Sequence, residues 1–151
     1  MEIERKYMIH TLPQHLEQYA SHEIEQAYII TNPVLRIRKS DDEYFLTYKS
    51  SGLMVRQEEE FSIDEEAYQK LLQKTEGKII SKTRYDIPIE NDLIATLDVF
   101  KGKHAGLLLV EVEFPSVELA NAFFPPAWFG GEVTHDKNYQ NSTLSQLSQY
   151  P

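Results

Sequence analysis

The sequence predicts a mainly β fold of the α+β class: eight strands in a meander that closes into a barrel with a charged lumen, beneath outer helices. Three observations lead there. Eight segments of strand length alternate between faces and are separated by turn residues. Charged side chains recur on one face of nearly all of them. Four amphipathic stretches are available to cover the apolar faces from outside.

The strands are expected at about 2–9, 25–31, 34–40, 43–50, 54–63, 79–89, 93–100 and 107–114. Turn signals separate them at Asn32-Pro33, Asp41-Asp42, Ser51-Gly52, Asn91-Asp92 and Gly102 to Gly106. Helices are expected at about 13–21, entered at Pro13; at 64–76, capped by Asp64 and stopped by Gly77; at 117–124, capped by Ser116 and ended by Pro125-Pro126; and at about 139–149.

A chain of 151 residues is expected to form one domain, 1–151, with a substantial core. No apolar run reaches the roughly 18 residues of a membrane-spanning helix, and the charged opening is unlike a secretory signal peptide. The absence of cysteine excludes disulfides and thiolate metal sites and fits the cytoplasm. A net charge of −9 argues against nucleic-acid binding, while leaving room for a local basic pocket.

Strand parity assembles the charges. Glu2, Glu4 and Lys6 share one face, opposite Ile3 and Tyr7, and Arg5 on that opposite face reads as a snorkelling or surface residue. Arg36 and Arg38 lie opposite Leu35 and Ile37; Lys49 falls with Phe45 and Thr47; Arg56, Glu58 and Glu60 share a face. Lys82 and Arg84 oppose Tyr85 and Ile87, Asp98 opposes Leu97 and Val99, and Glu111 and Glu113 oppose Val110 and Val112. The faces carry seven acids and seven bases. As separate strands, these are ordinary solvated faces of a sandwich or barrel. Together they come as i, i+2 doublets, Glu-x-Glu three times, Arg-x-Arg and Lys-x-Arg once each. That pattern favours a lumen. Barrels of about eight strands can hold one small ligand, and buried ions need partners. Carboxylates bind hard divalent cations and Arg and Lys bind phosphate, so a polyphosphate with Mg²⁺ or Mn²⁺ satisfies both sets.

The motifs EIERK, LRIRK, YFLTYKS, VRQEEEFSI, KTRYDI, DVF and LVEVEFPS, in that order, resemble the CYTH superfamily, the triphosphate tunnel metalloenzymes, and most closely its short bacterial tripolyphosphatases. The resemblance implies an eight-stranded antiparallel closed barrel forming a tunnel, and hydrolysis of inorganic tripolyphosphate to pyrophosphate and phosphate with Mg²⁺ or Mn²⁺, in two ions. It implies that Glu2, Glu4, Asp98, Glu111 and Glu113 hold metal, with Glu58 and Glu60 helping through metal or water. Lys6, Arg36, Arg38, Lys49, Arg56, Lys82 and Arg84 would clamp phosphate, and Tyr28 would work beside Lys82. The stretch EVTHDKNYQNSTLSQL resembles the segment whose helix covers one tunnel mouth, from which Lys137 would reach the substrate. Two features depart from the family: Thr96 stands where many members have a further acid, and the His-Phe extension of class IV adenylyl cyclases is missing.

Other readings are a thiamine or nucleoside triphosphatase, an adenylyl cyclase, or a polyphosphate-binding module without chemistry. The five histidines lack ligand spacing and read as surface residues. Thr134-His135-Asp136 lacks the geometry of a triad. Phe123-Phe124 and Trp128-Phe129 read as core, and no Walker-type loop is present. The expected partner is a small polyanion, with neither nucleic acid nor membrane, and an outer barrel face leaves room for a homodimer.

Overall fold

Ten strands and three short helices make up residues 1–9, 11–148 and 150–151, which the computed structural model describes. The strands are β1 (Glu2–Ile9), β2 (Ala20–Thr31), β3 (Val34–Ser40), β4 (Glu43–Lys49), β5 (Val55–Arg56), β6 (Glu58–Ile63), β7 (Glu76–Pro88), β8 (Ile94–Phe100), β9 (Leu108–Glu113) and β10 (Phe129–Glu132). Nine follow one antiparallel path, β10-β1-β9-β8-β7-β2-β3-β4-β6. β5 then pairs back onto β1 through Glu2↔Arg56 and Ile3↔Val55, so the sheet rolls into a nearly closed barrel.

Two differences from the expected eight strands have simple causes. The strand expected at 54–63 breaks at Gln57, because its first two residues pair with β1 and the rest with β4. β10 adds to the same edge of β1 farther along; its Phe-Gly-Gly-Glu sequence has one aromatic residue and no β-branched one, and its two glycines hide it as a strand. β2 and β7 are longer than expected, at 12 and 13 residues.

The helices are shorter than their patterns. The first is a single 3₁₀ turn at Leu16–Gln18. α1 (Glu65–Leu72) and α2 (Val117–Ala122) start where expected, with Asp64 accepting from the Ala67 amide at 2.8 Å and Ser116 from the Leu119 amide at 3.1 Å. The last is a 3₁₀ turn at Lys137–Tyr139 followed by α3 (Asn141–Leu144); the end of the expected span, Gln149, lies outside the described residues. Gly77 does not stop α1, which ends at Leu72. It sits in β7 with φ +68, where a Cβ would come within 2.6 Å of the Ser145 carbonyl oxygen. The neighbouring Lys78 amide donates to that same oxygen at 2.7 Å. The glycine therefore lets the C-terminal segment dock against the barrel.

The apolar residues form three clusters. One, around Tyr7, Leu97, Val110 and Val112, lies beneath α2 and the Trp128-Phe129 region; another, Ala27, Ile37 and Tyr68, lies beneath α1. These are the outer faces that parity assigns. The third contains Ile80, Phe100, Leu109 and Leu144. Ile80, Phe100 and Leu109 share parity with Lys82, Asp98 and Glu111, so they continue the lumen face, and Leu144 of α3 packs on them. One end of the barrel is thus stoppered by an apolar layer. Arg5 is no free surface residue: it pairs with Glu132 of β10 at 2.7 Å and donates to the Ala120 and Phe123 carbonyls. Phe123 and Phe129 pack in the outer core, but Phe124 is exposed. His104 is buried, bonded to the Leu144 carbonyl at 2.8 Å, which corrects its surface reading; His10 lies outside the described residues.

Candidate active site

Antiparallel pairing sorts the lumen charges into two walls. On β1 and β9, Glu4 stands opposite Glu113 and Lys6 opposite Glu111, with Glu2 beside them. Around the barrel, the adjacent β7, β2 and β3 bring together Lys82, Arg84, Tyr28, Arg36 and Arg38. Lys49, Arg56, Glu58 and Glu60 close the circuit on β4, β5 and β6. All of these line one cavity of about 230 Å³. At roughly 10–15 Å³ per water site, that is room for a small ligand and its hydration, not a macromolecule.

The carboxylate wall is crowded with like charge. Burial, then Glu111 and Glu2, push Glu4 up to about 8. Burial would raise Glu2 and Glu111 too, but Lys49 outweighs it at Glu2, and Lys6, Arg84 and Lys82 outweigh it at Glu111, so both are lowered. Lys49 holds Glu2 at 2.8 Å and Glu58 at 3.4 Å; Lys6 holds Glu111 at 3.4 Å. Glu60 and Glu113 lie at the rim, exposed.

The basic wall is crowded in the opposite sense. Burial, followed by Arg36 and Arg84, lowers Arg38 to about 9, and burial lowers Lys82 to about 7 against the pull of Asp98. Arg36 is 5% exposed, donates to Thr47 Oγ1 at 3.2 Å and approaches Glu60 at 3.8 Å. Its Nε, like that of Arg56, is buried without a hydrogen-bond partner among the described residues. Buried donors are ordinarily bonded. Two unpartnered guanidinium N–H groups in one cavity mark a place for an anion.

Two expected site residues are placed differently. Asp98 does not line the cavity. It is 1% exposed behind the basic wall, with Arg84 on both its oxygens at 2.8 and 2.9 Å and Lys82 on Oδ2 at 2.8 Å. Such a carboxylate anchors bases; its oxygens are already engaged. Lys137 is exposed beside a neighbouring cavity, lined also by Arg56 and Gln140. From the C-terminal segment it is Gln140, Asn141 and Ser142 that line the lumen. These three lie off the strands, where parity does not reach, and neutral Gln26 carries no charge to mark it; Thr47 shares the face already assigned to Lys49. Gln26 shares the lumen face of β2 with Tyr28, so continuing the parity through uncharged positions would have found it.

The description of the CYTH domain matches residues 1–124. The chain belongs to the CYTH family. The inorganic triphosphatase of Nitrosomonas europaea is 43% identical to this CYTH chain over 147 residues, covering 95% of it and 96% of the relative. A solved inorganic triphosphatase superposes with a TM-score of 0.71 at 41% identity, over 97% of this chain and 95% of the other. A Hippeastrum protein assigned as an adenylyl cyclase, which reveals a dominant triphosphatase activity, shares the fold at a TM-score of 0.65 and 19% identity, over 81% of this chain and 83% of its own. Among the described residues, no helix is long and apolar enough to cross a membrane.

The donor chemistry of the carboxylate wall fits a divalent cation. Glu2, Glu4, Glu111 and Glu113 offer only oxygen, and they repel each other in a way that a cation would relieve. As the side chains stand, no three acids among the described residues converge on one point; Lys49 holds Glu2, Lys6 holds Glu111, and Arg56 approaches Glu2 and Glu4 at 3.7 and 3.9 Å. Loading would exchange Lys–Glu contacts for metal–Glu contacts.

Proposed function

We propose that this CYTH chain, folded as a single domain, hydrolyses the terminal phosphoanhydride of inorganic tripolyphosphate to pyrophosphate and phosphate, with Mg²⁺ or Mn²⁺. The observation that carries this reading is the cavity itself: a basic wall with unpartnered buried guanidinium donors facing a wall of mutually repelling carboxylates. The relative of 43% identity is an inorganic triphosphatase, which supports the same reading.

Phosphoryl transfer passes through a loose, charge-dispersed transition state, so positioning and electrostatics supply most of the catalysis. Arg36, Arg38, Arg56, Lys82 and Arg84 would hold the phosphate oxygens, and Lys6 and Lys49 would join them as the carboxylates exchange partners. Glu2, Glu4, Glu111 and Glu113 would hold a divalent ion, which would supply charge neutralisation at phosphate oxygens. Water adds at the terminal phosphorus while the bridging P–O bond breaks, its electron pair leaving on pyrophosphate. The water's proton passes to a rim glutamate, Glu58 or Glu60, both on the β6 side of the cavity. Asp98 keeps Lys82 and Arg84 aimed into the lumen.

The test is phosphate release by the purified protein from tripolyphosphate, pyrophosphate, ATP and thiamine triphosphate, each with Mg²⁺, Mn²⁺ or Ca²⁺. Tripolyphosphate is expected to be turned over fastest. Cyclic AMP as the product from ATP would overturn the hydrolase reading, as would tight tripolyphosphate binding without phosphate release under any ion.

A further inference from the structure

Gln26 is fully buried at the junction of the basic wall and the C-terminal segment. Its Oε1 accepts two N–H groups of Arg38, at 2.9 and 2.7 Å. Its Nε2 reaches the Tyr28 hydroxyl at 3.0 Å and Asn141 Oδ1 at 3.1 Å. Asn141 Oδ1 also accepts from Lys82 Nζ at 2.9 Å, and Lys82 continues to Asp98.

The direction of every bond in this chain is forced. A guanidinium has no acceptor, so the amide oxygen of Gln26 must face Arg38. Its NH₂ therefore faces Tyr28 and Asn141. An amide NH₂ has no acceptor either, so Gln26 fixes the Asn141 oxygen toward itself, where it also accepts from Lys82. The Tyr28 oxygen is thereby an acceptor for Gln26, and no described residue accepts the Tyr28 proton. Tyr28 lines the cavity.

Resting on the triphosphatase reading of the cavity, we infer that Gln26 is a positioning residue that fixes Tyr28 as a hydrogen-bond donor toward the bound phosphate, with Asn141 holding Gln26 in register. Tyr28 so oriented donates to a phosphate oxygen that gains charge as the P–O bond breaks; it is not the group that takes the water's proton. Asn141 makes this orientation depend on the docked C-terminal segment, which lies beyond the 1–124 family match.

Gln26→Glu tests the inference. It keeps acceptor oxygens for Arg38 but replaces the amide donor with a second acceptor, so Tyr28 must turn its O–H onto residue 26. The kcat for phosphate release from tripolyphosphate is expected to fall at least about tenfold, with KM changed far less. Tyr28→Phe, which alone should lower kcat to a similar degree, should have little further effect in the Gln26→Glu background. Should the carboxylate unfold the protein, as a thermal midpoint would reveal, Gln26→Met is read in the same double-mutant cycle with the same expected masking. Multiplicative effects of the two substitutions, an unchanged kcat, or a loss confined to KM would overturn the inference while leaving the triphosphatase reading in place. No turnover of tripolyphosphate by the unmodified protein would overturn both.

Discussion

The carboxylate wall and the basic wall carry charge of opposite sign and are finished differently. Along β1 and β9, Glu111 is matched to Lys6 and Glu2 to Lys49 of β4, and the strain is among the acids, seen in Glu4 being pushed up to about 8. On β7, β2 and β3 the cations outnumber their partners. Asp98 serves Lys82 and Arg84, a neutral Gln26 serves Arg38, and Arg36 Nε has no partner among the described residues. The first wall lacks positive charge and the second lacks acceptors. A polyanion alone relieves only the second; a polyanion that carries a divalent ion relieves both.

Breaking the first wall should have the largest effect. Glu4→Gln replaces a carboxylate at the centre of the carboxylate wall with a neutral amide and also ends its repulsion with Glu2 and Glu111. Metal-dependent phosphate release is expected to drop by about a hundredfold or more, the scale of losing one electrostatic stabiliser of a transition state. The thermal midpoint without metal is expected to hold or rise, since the variant no longer confines a third acid beside two others. Normal turnover in this variant would remove Glu4 from the metal site.

Breaking the second wall should separate binding from stability. Arg36→Met replaces a buried, incompletely bonded cation with an apolar chain of similar length. Burying an ion without full partnership costs stability, so the midpoint is expected to stay level or rise. Tripolyphosphate affinity by calorimetry should fall by roughly ten- to a hundredfold, as follows from about 1.5–3 kcal/mol for a charge-assisted hydrogen bond. A lower midpoint with unaltered affinity would make Arg36 a structural residue instead.

The two walls were legible in the sequence to different depths. Period-two alternation places every charged lumen residue of β1, β3, β7 and β9, because a strand offers only two faces. What alternation does not show is how deep along the barrel a residue sits. Asp98 and Thr96 share parity, yet Thr96 lines the cavity while Asp98 is behind it, covered by the longer Arg84 and Lys82 side chains. Depth also hides the apolar stopper, where Ile80, Phe100 and Leu109 hold lumen positions that no charge advertises. In place of the helix expected at about 139–149, the C-terminal segment forms two short turns, Lys137–Tyr139 and Asn141–Leu144, and Lys137 stays exposed. The segment's docking depends on Gly77, on Lys6 Nζ donating to the Tyr139 carbonyl and on the Lys78 amide donating to the Ser145 carbonyl, contacts between residues far apart in sequence that leave no periodic trace. Closure itself rests on two residues of β5.

A third ion cluster, at the end of the barrel away from α3, sharpens the comparison by being exposed. β2 begins there, β7 ends there and the β3–β4 turn lies there. His22 bridges Asp41 of that turn and Asp86 of β7, each at 2.9 Å, with Arg84 opposite it in register. Its pKa is raised, first by the hydrogen bond to Asp41 and then by that to Asp86. A raised histidine contributes stability in full below its unfolded value near 6.5, and that contribution disappears as pH rises through the folded value. The thermal midpoint of the unmodified protein should therefore lose more between pH 6 and the upper end of this window than that of His22→Gln. Comparing the two proteins cancels the contribution of Glu4, which both retain and which burial and neighbouring acids push up to about 8. Because the side chain is about a third exposed, the effect should be the smallest of those argued here and should shrink in 0.5 M salt, where screening lengths fall to a few ångströms. The Lys82–Asp98 pair, with almost no exposure, should be insensitive to the same salt. Equal pH slopes for the two proteins at low salt would show that His22 contributes nothing by its charge.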